Sequence, residues 1–244
     1  MRVFVTRDYR AVSRQAADAA DDAIRLKPGV TLGLPTGNTP LGMYQELVRR
    51  HREEGLDFSR VRTFNLDEYL GLSPDHAGSY HTYMRRYFFD HVNVPAENIH
   101  IPDGSPGVDA EAESASYERA IDGAGGIDLL IVGIGANGHI AFNEPGSSSK
   151  SRTRVVELAP ETIANARKHF ENELEIPLTA ITMGLGTILE ARRILLLASG
   201  PDKSDVVNRA LRGPVSESVP ASVLQLHSEV VVILDETAGA EFFG

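Results

Sequence analysis

The residues best suited to chemistry lie in one run, GIGANGHIAFNEPG, from Gly133 to Gly146. Within it, His139 precedes Glu144 by five positions. A histidine held by a carboxylate is an acid/base pair, because the carboxylate fixes the tautomer and orientation of a ring that titrates near neutrality. The surrounding glycines let backbone come close to a ligand. The same residues also suit a structural histidine bonded within its own loop, and the run by itself does not separate the two readings.

Two further segments carry reactive groups. VRTFNLDEYLGL sets Asp67 and Glu68 at the end of an apolar run. Adjacent residues of a strand point to opposite faces, so at most one of the pair faces a given pocket directly. A partly desolvated carboxylate there serves as a general base; a capping or loop acid is the alternative. LGLPTGNTPLGMY reads as strand, turn and helix, with Thr39 as N-cap and Pro40 at the first helical position. Thr36, Gly37, Asn38 and Thr39 then bring hydroxyls and N–H groups to a helix N-terminus, which attracts anions through its dipole and unsatisfied donors. An ordinary strand-to-helix turn has the same composition. Lys203, near the start of PDKSDVVNRAL, opposes a helix dipole, and a bound anion would offset that penalty. Arg167, in TIANARKHF, is a further cation. Both also fit solvated surface charges.

These groups need elements to hold them. Short apolar runs read as strands: VFVT (Val3 to Thr6), VTLGLP (Val30 to Pro35), VRTFNL (Val61 to Leu66), DLLIVGI (Asp128 to Ile134), RILLLA (Arg193 to Ala198) and VVVIL ending at Leu234. Helical periods lie between them, in SRQAADAADDAIRL and in LGMYQELVRRH, where Leu41, Tyr44, Leu47 and Val48 share a face. This alternation predicts an α/β fold with a mostly parallel twisted sheet flanked by helices, a three-layer Rossmann-like arrangement. Ligands of such sheets sit beyond the carboxyl ends of strands, where all three reactive segments fall. DGSPGVDAEAE (Asp103 to Glu113) is a polar loop leading into a helix and too short for an interdomain linker. Residues 1–244 therefore read as one domain.

Composition narrows the function. The 24 basic and 34 acidic side chains give a net charge of −10, which argues against nucleic acid or a membrane surface as partner. There is no cysteine, so thiolate nucleophiles, disulfides and Cys-based metal sites are excluded. The other histidines (His51, His76, His81, His91, His100, His169 and His227) show no HExxH-type spacing, so no metal is expected, and no GxSxG elbow is present. The opening MRVFVTRDYR lacks the apolar stretch of a signal peptide, and no run is long enough to span a bilayer. A cytoplasmic protein is expected.

LGLPTGNTP, FNLDEY, GIGANGHIAFNEPGSSSKSRTR and LLLASGPDK together resemble the glucosamine-6-phosphate deaminase family. SYHTYMRRYFFDHVNVPAENIHIPDG and SVPASVLQLHSEVVVILDE extend the resemblance to nearly the whole chain. The resemblance implies conversion of glucosamine 6-phosphate and water to fructose 6-phosphate and ammonia, with no metal or redox cofactor. It implies that Asp67 takes the C2 proton and returns it toward C1. His139 would open the sugar ring with Glu144 as its partner, and Asn137 belongs to the ring-opening set. Thr36, Gly37, Asn38, Thr39, Arg167 and Lys203 match the segments that hold the sugar phosphate.

Departures from the family pattern carry expectations of their own. Some members have Asp at the position of Asn137, which cannot ionise. Allosterically activated members place a basic residue two positions after Arg154, where this chain has Val156, and continue further beyond VVVILDE. Activation by an N-acetylated sugar phosphate is therefore expected to be weak or absent. Two alternatives remain on sequence grounds. One is a 6-phosphogluconolactonase-like hydrolase, although its histidine is followed by a TASLFPG-like run rather than IAFNEPG. The other is a non-catalytic sugar-phosphate sensor, which has no need of Asp67, His139 and Glu144 together. The sequence leaves homo-oligomer formation open, and SSSKSRTR reads as a mobile segment from its polarity.

Overall fold

The structure, a computed structural model, describes residues 1–167, 170 and 176–243. The elements run β1 (Arg2–Thr6), α1 (Tyr9–Leu26), β2 (Thr31–Leu34), α2 (Leu41–Glu54), β3 (Arg62–Asn65), β4 (Asp67–Tyr69), α3 (Tyr80–Tyr87), β5 (Ile99–His100) and α4 (Ala110–Gly123). They continue as β6 (Leu129–Gly133), β7 (Arg154–Glu157), α5 (Pro160–Ala166), β8 (Thr179–Thr182), α6 (Leu185–Leu189), β9 (Ile194–Ala198), α7 (Ser204–Arg212), β10 (Val230–Asp235) and α8 (Ala240–Phe243).

Among the described residues, seven strands form a sheet in the order β1-β10-β9-β6-β2-β3-β5. Every neighbouring pair is parallel. Side-chain alternation along β6 builds two core layers. Leu129 and Ile131 pack with Val12, Ala16, Leu47 and Met84 from α1, α2 and α3. Leu130 and Val132 pack with Tyr117, Val206 and Ala210 from α4 and α7. Where β2 meets β6 the approach is close: a Cβ on Gly33 would lie 2.0 Å from Leu130 Cδ1, so a larger residue there would push the Leu130 side chain aside.

The expected strands appear within a residue or so of their predicted ends, and one feature was not foreseen. β4, β8 and β7 form a separate antiparallel sheet, with Asp67 opposite Thr182 and Arg154 also opposite Thr182. Asp67 thus does not end the third central strand. The chain leaves that strand after Asn65, and the Leu66 carbonyl accepts the Met183 N–H at 2.7 Å. Such short strands, partly exposed on β7, carry too little apolar periodicity to be seen in sequence.

Two local expectations are corrected or qualified. Thr39 does not cap α2. The chain turns through Asn38–Leu41, Pro40 is the cap residue without a side-chain bond, and the helix begins at Leu41. Pro40 already has helical dihedrals (φ −79°, ψ −7°), which moves the helix start past the threonine. The polar run after Gly146 is tied down at several points. Ser151 and Thr153 bond to Leu185 N–H, Gly186 N–H and Glu118, and Arg152 pairs with Glu118 and Glu190.

Candidate active site

Loops from three neighbouring central strands, β2, β6 and β9, leave the same edge of the sheet. They carry residues 36–39, 134–146 and 199–203, so these three loops are neighbours because their strands are, while Asp67 comes from β4 of the smaller sheet.

Asp67 is buried, at 6% exposure, and makes no side-chain hydrogen bond among the described residues. Burial, with a contribution from the adjacent Glu68 charge, pushes its carboxyl up to about 8. Glu68 has the opposite fate. Its Oε1 accepts the N–H groups of Tyr69 (2.8 Å) and Tyr80 (3.0 Å), and its Oε2 accepts Ser79 Oγ (2.7 Å) and the His81 N–H (3.1 Å). It closes the N-terminus of α3 and is a structural acid. Burial raises its carboxyl too, but four donors oppose that rise. Negative charge is thus best accommodated on Glu68, and the proton on Asp67.

The His139 loop is assembled differently. A tight turn bonds the Gly135 N–H to the His139 carbonyl at 3.0 Å. The ring lies against that turn, where a Cβ on Gly135 would fall 2.2 Å from His139 Cε1. Asn137 works with both ends of its amide: Oδ1 accepts the His139 N–H at 3.1 Å, and Nδ2 donates to Glu144 Oε2 at 2.8 Å. Thr162, on α5, donates to Glu144 Oε1. His139 Nδ1 is buried and lies 3.4 Å from Glu144 Oε2, at ion-pair distance but without hydrogen-bond geometry. Burial raises the Glu144 carboxyl, yet His139, Thr162 and Asn137 outweigh it and hold the group at about 2. Ala141 in the same loop has φ 52°, the one described non-glycine in the left-handed region.

Strand β8 joins the two halves. Thr182 sits opposite Asp67, and its Oγ1 accepts the Phe142 N–H at 3.1 Å. Met183 bonds Leu66 through its N–H and Asn143 Nδ2, at 2.8 Å, through its carbonyl. The Phe142 ring packs on Tyr69 and Tyr80, with centroids 5.4 and 6.1 Å away. The Tyr80 hydroxyl donates to that of Tyr69 at 3.3 Å, which ties the start of α3 to the Asp67 sheet.

In that loop Gly37 has φ 95°, which favours glycine. The N–H groups of Gly37, Asn38 and Thr39 donate to no protein acceptor among the described residues. Lys203 is the cap residue of α7, its side chain is only 19% exposed, and its Nζ lies 3.4 Å from Asp202. Asp235, at the end of β10, shapes the approach to it by accepting Ser199 Oγ and the Gly200 N–H. Arg167 lies exposed, one residue past α5. His169 lies outside the described residues.

Thr162, Thr182 and Tyr80 were not anticipated from sequence. Each acts through a contact between elements far apart in the chain, and none sits in a motif that marks it.

Chemically, the site offers one uncompensated buried carboxylate, one imidazole paired with a firmly ionised carboxylate, and a row of unspent N–H donors near a half-buried lysine. Together these suit proton transfer on a small anionic substrate.

Comparison with known proteins agrees with this chemistry. Residues 7–233 match the model of the family described as glucosamine-6-phosphate isomerases/6-phosphogluconolactonase. A glucosamine-6-phosphate deaminase of Halothermothrix orenii is 49% identical over 240 residues, covering 98% of this chain and 99% of its own. One from a Thermoanaerobacter species is 48% identical over 240 residues, covering 98% and 94%. A solved structure described as a monomeric glucosamine-6-phosphate deaminase superposes with a TM-score of 0.96 at 45% identity, over 99% of this chain and all of the other. A 6-phosphogluconolactonase from Trypanosoma brucei, at 20% identity and a TM-score of 0.76 over 98% of this chain and 97% of its own, shares the fold.

Proposed function

This chain belongs to the family of glucosamine-6-phosphate isomerases and 6-phosphogluconolactonases, and within it we propose that the protein is a glucosamine-6-phosphate deaminase. It converts glucosamine 6-phosphate and water to fructose 6-phosphate and ammonia. The observation that carries this reading is the contrast between two carboxylates tied to one strand: Asp67 is buried with no hydrogen-bond donor among the described residues, which pushes it up to about 8, whereas Asn137, Thr162 and His139 surround Glu144 and hold it at about 2. A lactone hydrolase needs no carbon base, whereas an aldose-to-ketose isomerisation does. The full-length deaminase relatives support the same choice.

The phosphate rests on the N–H groups and hydroxyls of Thr36, Gly37, Asn38 and Thr39, with Lys203 and Arg167 supplying charge. Binding energy gathered there, remote from the reacting carbons, serves to orient them. His139 moves a proton between the anomeric hydroxyl and the ring oxygen, which opens the ring. Glu144 stays ionised and balances the imidazolium formed on the way. Asn137 does not titrate; it holds Glu144 and the His139 backbone in register. Asp67 then takes the proton from C2 and returns it to C1. An amine proton passes to O1, so C1 becomes a hydroxymethyl group and C2 an imine; water adds to that imine, its oxygen becoming the ketone and the nitrogen leaving as ammonia.

No helix among the described residues is long and apolar enough to cross a membrane. We read 1–244 as one sugar-phosphate isomerase/deaminase domain acting in the cytoplasm in amino-sugar breakdown. A homo-oligomer is compatible with this reading, which assigns roles to residues of this chain only. Incubation with glucosamine 6-phosphate is expected to release ammonia and fructose 6-phosphate in equal amounts. Absence of both products, with 6-phosphogluconolactone hydrolysed instead, would overturn the assignment.

A further inference from the structure

The loop after β2 is held from behind by phenols of three different helices. Tyr44 of α2 donates to the Pro35 carbonyl at 2.5 Å. Tyr83 of α3 donates to the Gly37 carbonyl at 2.6 Å, and Tyr9 of α1 to the Asn38 carbonyl at 2.9 Å. The Tyr9 oxygen in turn accepts the Gly42 N–H at 2.8 Å. Each of these hydroxyl protons is committed to a loop carbonyl. Burial pushes Tyr44 and Tyr83 well above the ordinary phenol range, so both remain donors across neutral pH.

These three bonds decide where the loop's own donors point. A peptide unit is planar, and in its trans form the carbonyl and the following N–H point in opposite directions. The loop contains no cis bond. Turning the carbonyls of Pro35, Gly37 and Asn38 toward the helices therefore turns the N–H groups of Thr36, Asn38 and Thr39 the other way. Those of Asn38 and Thr39 find no protein acceptor among the described residues. A loop free to rotate its peptides would present carbonyl oxygens to an anion part of the time, and each such state repels it.

We propose that Tyr9, Tyr44 and Tyr83 are positioning residues that preset the 36–39 loop for the substrate's phosphate, holding its carbonyls away from the anion and its amide protons toward it. This rests on reading that loop as the phosphate site. The tyrosines do not touch the phosphate, since their protons are spent on the loop. They act by removing the cost of ordering it.

The test uses Tyr83→Phe and Tyr9→Phe, singly and together, because both positions are partly exposed and the ring is kept. Tyr87→Phe is the control. Its ring packs against Tyr83, 4.8 Å between centroids, but it has no bond to the loop. Two readouts are taken: affinity for inorganic phosphate by titration calorimetry, and kcat and KM for glucosamine 6-phosphate. Each single variant is expected to weaken phosphate binding and raise KM by roughly two- to tenfold, the worth of one net hydrogen bond. The double variant loses more, kcat changes less than KM, and Tyr87→Phe matches the parent. Amide resonances of Asn38 and Thr39 move on adding phosphate to the parent and move less at the same concentration in the variants. Unchanged phosphate affinity and KM in a folded double variant overturn the proposal, as does a fall in kcat at constant KM. A parent protein that binds phosphate with this dependence on Tyr9 and Tyr83, yet releases no ammonia, overturns the functional reading and leaves the positioning role standing.

Discussion

Asp67 and Glu144 are both half- to fully-buried carboxylates bonded into the same strand region, and their surroundings drive them in opposite directions. Asp67 has lost its water and received no donor in return, and it sits beside the Glu68 charge. Glu144 has lost water too, but Thr162, Asn137 and His139 replace it. One carboxyl is pushed up to about 8 and the other held at about 2. The difference teaches that burial alone does not assign a role. What matters is whether the lost hydration is replaced, and groups driven apart in this way mark an acid/base division of labour.

The sharpest way to break the comparison is Asp67→Asn. Loss of the base is expected to cut kcat by about 10³-fold while KM changes little. Near-normal ammonia release would remove Asp67 from the mechanism. Glu144→Gln should cost less, about 10- to 100-fold in kcat, because His139 stays in place without its counter-charge. An effect as large as that of Asp67→Asn would mean that the two carboxylates are not divided as described.

The pH profile separates them next. Asp67 must be ionised to accept a proton, so kcat/KM is expected to rise with pH and level off above about 8. Glu68→Gln removes the neighbouring charge and should shift that rise to lower pH. A profile flat from neutrality to beyond pH 8 would contradict the raised carboxyl.

Stability gives a smaller but opposite-signed test. A carboxyl raised in the folded state costs stability above its unfolded pKa, and the cost grows until the folded value of about 8. Asp67→Asn should therefore raise Tm, and more near pH 8 than at about pH 5. Glu144 is depressed, so its contribution is present above the ordinary Glu range and lost as pH falls toward 2. Glu144→Gln should lower Tm at neutral pH by about 2–4 °C for each kcal/mol lost. Equal shifts of the same sign in thermal melts would defeat the contrast. The smallest expected effect is none at all: with Val156 two positions beyond Arg154, N-acetylglucosamine 6-phosphate should not raise the rate at low substrate. A clear rise in initial velocity would count against that reading.

Much of this molecule was legible before folding was considered. The six principal central strands, the glycine-framed histidine loop and the strand-to-helix turn after β2 all announce themselves through local pattern. An apolar run flanked by turn residues is a local property, and so is a carboxylate five positions from a histidine. Glycine at position 37 can be read in the same way, since its left-handed backbone is a demand of the turn itself. Local signals mislead where two of them compete. Thr39 looked like a cap because its type favours one, but Pro40 takes that position.

The amino-acid sequence alone determined which groups are present and that the histidine loop and the turn with residues 36–39 follow strands of the central sheet. Only the tertiary structure decided what each group is. Asp67 and Glu68 are neighbours in the chain, and nothing local says which receives four donors and which receives none. That choice depends on where α3 docks. Likewise, the partner of Glu144 on α5, the strand β8 that ties Asp67 to the histidine loop, and the tyrosines behind residues 36–39 all arrive from distant parts of the chain. A pKa and the direction of an amide proton are set by desolvation and hydrogen bonding in three dimensions, and these exist only once the layers have packed.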